Sequence, residues 1–293
     1  MDNHRGRCGG WRGQAGFSLA EVLMAVAISS VVLLGLYLLY DLSQVTFVKG
    51  EQQADLQQNA RIAMDRIVRD LRLAGYGFPV GGTNCAGAAV PSAISVATAT
   101  SITFCADLNN ASTVIVADAV APTTILSVQN ATGIQAGNII HLIKGTVSEQ
   151  RTVAGVNTGV NPNTITLTAA TTNTYPLGSQ VGRPRLVRYC WYDNPDLDAV
   201  APPAGCGPDA NTIYKDEGGG GGPQPVANIR NFQVGAATFL TQMQYFDDDN
   251  NLTAVPANIQ RISVTITIQD AQTGSKAQPF ILRAEVRPRN LGL

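Results

Sequence analysis

Glu21 is the residue with the clearest chemical interest, because it places a carboxylate inside a long apolar segment. Residues 17–40 are 24 residues in which Glu21 carries the one charge. A segment of this length can cross the hydrocarbon core of a bilayer, which takes about 20 residues. An ionised side chain costs at least about 2.5–3.5 kcal/mol at the centre of a membrane helix. A carboxylate kept in such a segment therefore indicates a function.

The segment before the apolar run, residues 1–16, is basic. It carries Arg5, Arg7 and Arg12 against a single acidic residue, which predicts a cytoplasmic N-terminus. A secretory signal has its small-residue cleavage site after the apolar region, whereas here the small residue Gly16 comes before it. Cleavage after Gly16 would remove the basic leader and leave the apolar helix attached to the protein.

The sequence Gly-Phe-Ser-Leu-Ala-Glu at residues 16–21 resembles the class III signal of type IV pilins and type II secretion pseudopilins. The resemblance implies that a prepilin peptidase cleaves after Gly16 and methylates the new N-terminal residue, Phe17. It also implies that Glu21 pairs with the N-terminal amine of a neighbouring subunit during filament assembly. A carboxylate in the first helical turn is favoured by the helix dipole as well. An ordinary signal anchor with a stray glutamate is the competing interpretation.

Residues 41–75 are predicted to continue this helix as an amphipathic half beyond the transmembrane half, residues 17–40. No proline occurs between Phe17 and Phe78, and the segment is rich in helix-forming residues. Apolar residues recur there at spacings of three and four, which predicts one buried stripe: Leu56, Ala60, Ala63, Ile67, Leu71 and Ala74. Gly75 and Gly77 predict the end of the helix.

Two short sequences narrow the resemblance. Asn-Ala-Arg at residues 59–61 and Arg-Asp-Leu-Arg at 69–72, followed by Ala-Gly-Tyr at 74–76, are similar to PilW-type minor pilins. J-type pseudopilins of type II secretion share the Arg-Asp-Leu-Arg part more than the Ala-Gly-Tyr end, and they are the alternative. The resemblance covers residues 13–77 and, more weakly, residues 226–290.

The PilW-type resemblance implies a structural subunit that helps prime pilus assembly and is a candidate for the filament tip. Its implied partners are other minor and major pilins, the prepilin peptidase, the inner-membrane assembly platform and membrane lipid. The implied location is the inner membrane, with a single pass and a periplasmic head, and later the extracellular pilus.

The remaining residues, 76–293, are predicted to form a β-rich head. Ile262, Val264, Ile266 and Ile268 alternate with polar residues, which is the period of a strand with one buried face. Together with strands near residues 239–245 and 282–286, this segment predicts an antiparallel sheet that covers the helix stripe. The predicted fold class is therefore α+β.

Residues 122–184 are predicted to be a small β module inserted in the head. Short β runs alternate there with Gly, Asn and Pro, a rhythm typical of small all-β units. An adhesin-like tip that binds a ligand through this module is a further alternative function. His141, in the second of its strands, is predicted to be a surface or packed residue and not a ligand. Residues 195–225 are predicted to be a long loop, with Gly218–Gly222 as a flexible tether.

The chain has five cysteines, of which Cys8 lies in the leader. The other four would lie outside the cytoplasm, where disulfides form. Pairing of neighbours, Cys85 with Cys105 and Cys190 with Cys206, is the simplest of the three connectivities. Zinc is the alternative, but the sequence has no Cys-x-x-Cys and only two histidines.

The acidic cluster of Asp247, Asp248 and Asp249 offers oxygen ligands that suit calcium. Asp and Asn are also the usual residues of hairpin turns, and the turn is the favoured interpretation. No nucleophile elbow, nucleotide-binding loop or metal-ligand cluster occurs, so neither an enzyme nor a cofactor is expected. The net charge of −1 gives no attraction to nucleic acid.

Overall fold

The structure, a computed structural model, has the predicted α+β architecture. It describes residues 16–79, 82, 84–85, 87–90, 92–191, 206–209, 212–218, 221–228, 232–234, 237–239, 241–269 and 279–291. The chain divides into two compact units, Met1–Ala54 and Asp55–Leu293. Helix α1 (Leu19–Arg72) contributes to both units.

The described strands all belong to the second unit. The first nine are β1 (Asn84–Cys85), β2 (Ala88–Ala89), β3 (Ile94–Thr98), β4 (Ser101–Ala106), β5 (Thr113–Val114), β6 (Ile125–Val128), β7 (Ile139–Lys144), β8 (Val147–Asn157) and β9 (Asn163–Leu167). The others are β10 (Gln180–Gly182), β11 (Arg185–Cys190), β12 (Thr212–Asp216), β13 (Gln224–Asn228), β14 (Phe232–Val234), β15 (Ala237–Phe239), β16 (Gln242–Phe246), β17 (Arg261–Gln269) and β18 (Pro279–Val286).

The last turns of α1 pack into the main hydrophobic core of the head. Ala60, Ala63, Ile67, Leu71 and Ala74 are buried, and Leu56 packs against the core from its edge, so the predicted stripe is confirmed. Burying a side chain the size of leucine or isoleucine contributes about 1.5–3 kcal/mol. This face of the helix is therefore a major source of stability.

Gly75 ends the helix region for a steric reason. Its φ is +84°, and a Cβ built on it would lie 2.0 Å from the carbonyl oxygen of Asn290. Only glycine fits a left-handed conformation with so close a backbone neighbour. The Gly75 N–H donates to the Cys105 carbonyl at 2.7 Å, which fixes the chain as it leaves the helix.

Two antiparallel sheets share this core with the helix. One has the strand order β13-β12-β11-β4-β3, and the other has the order β16-β17-β18. Tyr245 of β16 joins them, because its hydroxyl donates to the carbonyl of Thr98 in β3 at 2.8 Å. The predicted antiparallel sheet over the helix stripe is thus present.

The prediction of a long loop over residues 195–225 is wrong for its second half. Residues Thr212–Asp216 form β12, which pairs with β11 on one side and with β13 on the other. The described ends of the glycine run, Gly218, Gly221 and Gly222, lie in the connection between β12 and β13, while Gly219 and Gly220 lie outside the described residues. The sequence does not reveal this hairpin, because β12 is short and its apolar and polar residues do not strictly alternate. The glycine run that follows β12 favoured the prediction of a loop. Residues 195–205 also lie outside the described residues.

The inserted module is a six-stranded antiparallel sheet with the order β5-β10-β7-β8-β9-β6. A bridge between Ile115 and Val128 joins the continuation of β5 to β6, which closes the sheet on itself as a small barrel. Its interior is a separate hydrophobic core that includes Leu126 and Ile140. The barrel begins at Thr113, upstream of the boundary expected at residue 122, because β5 pairs with β10. A pairing between strands so far apart in the chain is not visible in the sequence.

A charged cluster, in which Asp70 and Lys215 are buried and Glu217 is partly exposed, lies where the helix meets the five-stranded sheet. The Lys215 Nζ lies 2.7 Å from Oδ2 of Asp70 and 2.6 Å from Oε1 of Glu217. The Tyr189 hydroxyl donates to the same Asp70 oxygen at 2.6 Å. Burial, together with the neighbouring Asp70 carboxylate, raises the pKa of Tyr189, so this hydroxyl stays protonated and remains a donor.

The first prediction concerns Lys215. Replacing Lys215 with Met removes the one buried cation that the structure places beside the Asp70 carboxylate and leaves the exposed Arg69, 3.6 Å away, as its remaining ion partner. We expect a loss of about 3–5 kcal/mol in the free energy of unfolding. Urea unfolding of the full chain in detergent micelles, followed by the fluorescence of buried Trp191, measures this. Arg287→Met, at an exposed position, is the control and should change stability by less than about 0.5 kcal/mol. A loss below about 1 kcal/mol for Lys215→Met would contradict the assigned role.

His141 is buried in the barrel wall, only 3% exposed. Its ring packs edge-on against Phe78, with centroids 5.8 Å apart, and its Nε2 has no hydrogen-bond partner among the described residues. Burial lowers the pKa of His141 from its ordinary 6.5 to about 4. The residue is thus packed, one of the two outcomes expected, and it is held neutral in the folded protein.

The second prediction follows from this lowered pKa. The folded state resists protonation of His141 while the unfolded state takes up the proton near pH 6.5, so stability falls as the pH drops from about 6.5 to about 4. The loss from this residue alone reaches about 3 kcal/mol. His141→Phe should remove that part of the pH dependence, measured as the difference between the unfolding free energies of variant and wild type at pH 7 and pH 4.5. Identical slopes would show that His141 does not titrate in this way.

Candidate functional site

The helix that carries Glu21 begins with a side-chain cap. The Glu21 N–H donates to the Ser18 hydroxyl oxygen at 3.3 Å and to the Ser18 carbonyl at 3.0 Å. Ser-Leu-Ala-Glu at residues 18–21 is the sequence pattern of a capping box, Ser-x-x-Glu. The sequence interpretation overlooked this signal, which fixes the first helical residue at Leu19 and places Glu21 in the first turn.

Gly16 and Phe17 precede the helix in non-helical backbone. Among the described residues other than its chain neighbours, no group lies within 4 Å of the position that a Cβ on Gly16 would occupy, and Phe17 is 83% exposed. A peptide bond in exposed, non-helical backbone is accessible to a protease. Residues 1–15 of the expected leader lie outside the described residues.

Glu21 has no ion-pair partner among the residues that the structure describes, and it is exposed. On the same side of α1, at intervals of four residues, lie the small residues Ala25 and Ser29. Small side chains allow close approach of a second helix in a membrane. The carboxylate is therefore available to a cation from outside the described chain.

The apolar half of α1 is long and apolar enough to cross a membrane, and none of its most apolar window is buried in the structure. Its large apolar side chains are exposed from Phe17 to Val48. Such a surface is unfavourable in water and requires lipid or other apolar helices around it.

The four cysteines of the head are paired as neighbours. Cys85 of β1 is bonded to Cys105 of β4, and Cys190 of β11 to Cys206. On a loop-entropy model, each closure stabilises the head by about 3 kcal/mol. The first disulfide lies in a small core with Phe78 and Val90, close to the loop that leaves the helix.

The acidic cluster lies in the connection between β16 and β17. Asp247 Oδ1 accepts the N–H of Asn251 at 2.8 Å, and Asn250 has a φ of +63°. These contacts, with the Asn250 N–H donating to the Asp247 carbonyl at 3.2 Å, are those of a tight turn closed by the Asp247 side chain. No group of three or more potential metal-ligating side chains occurs in the described parts of the chain. The carboxylates of Asp247, Asp248 and Asp249 therefore do not converge on one point in this structure.

Comparison with known families gives one match. Residues 11–37 match the prokaryotic N-terminal methylation motif. No curated protein matches the chain. The motif, which spans Gly16, Phe17 and Glu21, supports a type IV pilin-like protein and indicates a structural subunit. The motif and the apolar helix behind it fit a membrane-anchored pilin.

Proposed function

We propose that the protein is a minor pilin of a type IV pilus, of the PilW type, that helps prime filament assembly and sits at or near the tip. The observation that carries the proposal is the methylation motif on an exposed, capped helix start. Gly16 and Phe17 are accessible, and Glu21 follows one turn later on a helix with an uncovered apolar surface.

In this proposal the prepilin peptidase removes residues 1–16 and methylates the amine of Phe17. The remaining helix holds the protein in the inner membrane, with its N-terminus at the cytoplasmic side and the head in the periplasm. A methylated amine keeps its positive charge, so it remains a partner for a carboxylate. The disulfides of the head agree with an oxidising compartment.

Assembly then transfers the helix from lipid to a bundle of pilin helices. Glu21 would pair with the N-terminal amine of a neighbouring minor or major pilin, which neutralises both charges as they enter an apolar bundle. Ala25 and Ser29 would permit the close helix contact that this pair needs. The assembly platform of the inner membrane would supply the site of this exchange.

A J-type pseudopilin of type II secretion would use the same start of the helix. We favour the minor pilin because the resemblance includes Ala74, Gly75 and Tyr76 after the shared Arg-Asp-Leu-Arg. In this chain Gly75 has a steric function that the structure explains, since Asn290 leaves no room for a side chain. Neighbouring genes for pilins or for secretion proteins would separate the two assignments.

The third prediction concerns processing. The protein isolated from pilus-bearing cells should begin at N-methylated Phe17, measured by N-terminal sequencing and by the mass of the N-terminal peptide. Gly16→Val should retain the leader, because the peptidase would meet a branched side chain at the cleaved bond. A native protein that still begins at Met1 would overturn the proposal.

The fourth prediction concerns assembly. Glu21→Ala should leave the protein folded and in the membrane but absent from sheared pili, because the amine of the neighbour loses its partner. Glu51→Ala, at an exposed position of the same helix, is the control and should enter pili normally. Immunoblots of sheared and membrane fractions measure both variants. Normal incorporation of the Glu21 variant would remove the role assigned to Glu21.

A further inference from the structure

The second unit contains a polar cavity of about 950 Å³ beside the barrel. It lies among the loop that follows α1, strands β5 and β10 of the barrel, and the residues after β18. Five of its lining side chains are amides: Asn110, Gln129, Asn130, Gln180 and Asn290. Amides donate and accept hydrogen bonds at once, so this lining suits a ligand that carries many hydroxyl groups.

One lining residue, Arg289, is charged, and no carboxylate is among the described lining residues. Arg289 is exposed, and its guanidinium forms no salt bridge in the described part of the chain. A guanidinium pairs best with a planar carboxylate or a phosphate through two parallel hydrogen bonds. The cavity lining therefore suits a ligand that carries one anionic group and several hydroxyl groups.

Part of the cavity lining consists of backbone segments in direct contact with one another. A Cβ on Gly182 would lie 2.1 Å from the carbonyl oxygen of Gly77, and Gly75 meets Asn290 as closely. Two lining side chains are bonded to each other, since the Tyr76 hydroxyl donates to Asn110 Oδ1 at 3.4 Å. The lining residues are thus held on segments that cannot separate without breaking the packing of the head, which reduces the entropy lost on binding.

An extended peptide is a poorer occupant than a sugar. Strand β5, at the cavity wall, already pairs with β10, and its continuation meets β6 through the Ile115–Val128 bridge. The strand therefore has no unpaired edge at this point to which a peptide could add. The aromatic ring of Tyr76, with the surrounding amides, instead provides the mixed surface that a sugar ring requires.

We propose that this cavity binds an acidic sugar, whose carboxylate pairs with Arg289 while its hydroxyl groups bond to the amide side chains. This function goes beyond pilus assembly and does not depend on it. The proposed ligand class is an oligosaccharide that contains uronic or sialic acid, such as those of extracellular polysaccharides and cell surfaces.

The test uses the full chain in micelles of a detergent without a sugar headgroup. Titration calorimetry measures binding of trigalacturonate, a hyaluronan tetrasaccharide and sialyllactose, with lactose and chitotetraose as neutral counterparts. We expect at least one acidic sugar to bind with a Kd of about 1 mM or tighter and its neutral counterpart to bind about ten-fold more weakly. Failure of all three acidic sugars to bind would overturn the proposal.

Two variants locate the binding. Arg289→Gln should weaken binding of the acidic sugar about ten-fold. Arg287→Gln changes an exposed arginine outside the cavity lining and should leave binding unchanged. Gln180→Glu places a carboxylate in the lining and should weaken binding of the acidic sugar but not binding of the neutral one. Equal affinity of wild type, Arg289→Gln and Gln180→Glu would show that the sugar binds elsewhere. The Glu21→Ala protein should bind as wild type does, which separates this test from that of assembly.

Discussion

The buried carboxylate of Asp70 is the constraint on which the packing of the head depends. An ionised group on the core-facing side of a helix prevents packing unless the facing surface neutralises it. Here Lys215 of β12 and Tyr189 of β11 both reach the same Asp70 oxygen. The neighbouring Ile67 and Leu71 are fully buried and supply the apolar contact. The apolar residues thus contribute burial energy, and the charged cluster fixes which part of the helix faces the five-stranded sheet.

The same helix carries a second carboxylate in an apolar setting, and the contrast supports the proposed function. Asp70 has two cations, Lys215 and the exposed Arg69, and a hydroxyl within the chain, whereas Glu21 has no ion partner among the described residues. A protein that kept Glu21 for its own fold would be expected to supply a partner, as it does for Asp70. Under the proposed function the partner belongs to another subunit. Glu21 would therefore form its ion pair only in the assembled filament.

The sequence was informative where the pattern was periodic or local. Apolar spacing predicted the buried face of α1 and the strands of the β16-β17-β18 sheet. The rhythm of short β runs between Gly, Asn and Pro predicted most strands of the barrel, and the rule for helix ends predicted the role of Gly75. The hairpin of β12 and β13 did not, because short strands beside a glycine run carry no period. Asp70 could have been noticed as a charged residue three positions after Ile67, on the buried stripe. Its partner Lys215 could not have been identified, since the contact joins residues far apart in the chain.

The barrel interrupts the head at a place that leaves the sheet intact. Strands β4 and β11 are antiparallel neighbours over six residue pairs, from Arg185–Ala106 to Cys190–Ser101, and the whole barrel occupies the connection between them. Such a connection can grow at small entropic cost, because the free energy of loop closure rises only slowly with length.

Two polar contacts hold the base of the barrel. Asp107 accepts from the Ser112 N–H at 2.6 Å, and the Arg183 guanidinium donates to the carbonyl of Gly133. An insertion at this position therefore leaves the pairing of β4 with β11 and the packing of the helix on its sheets undisturbed.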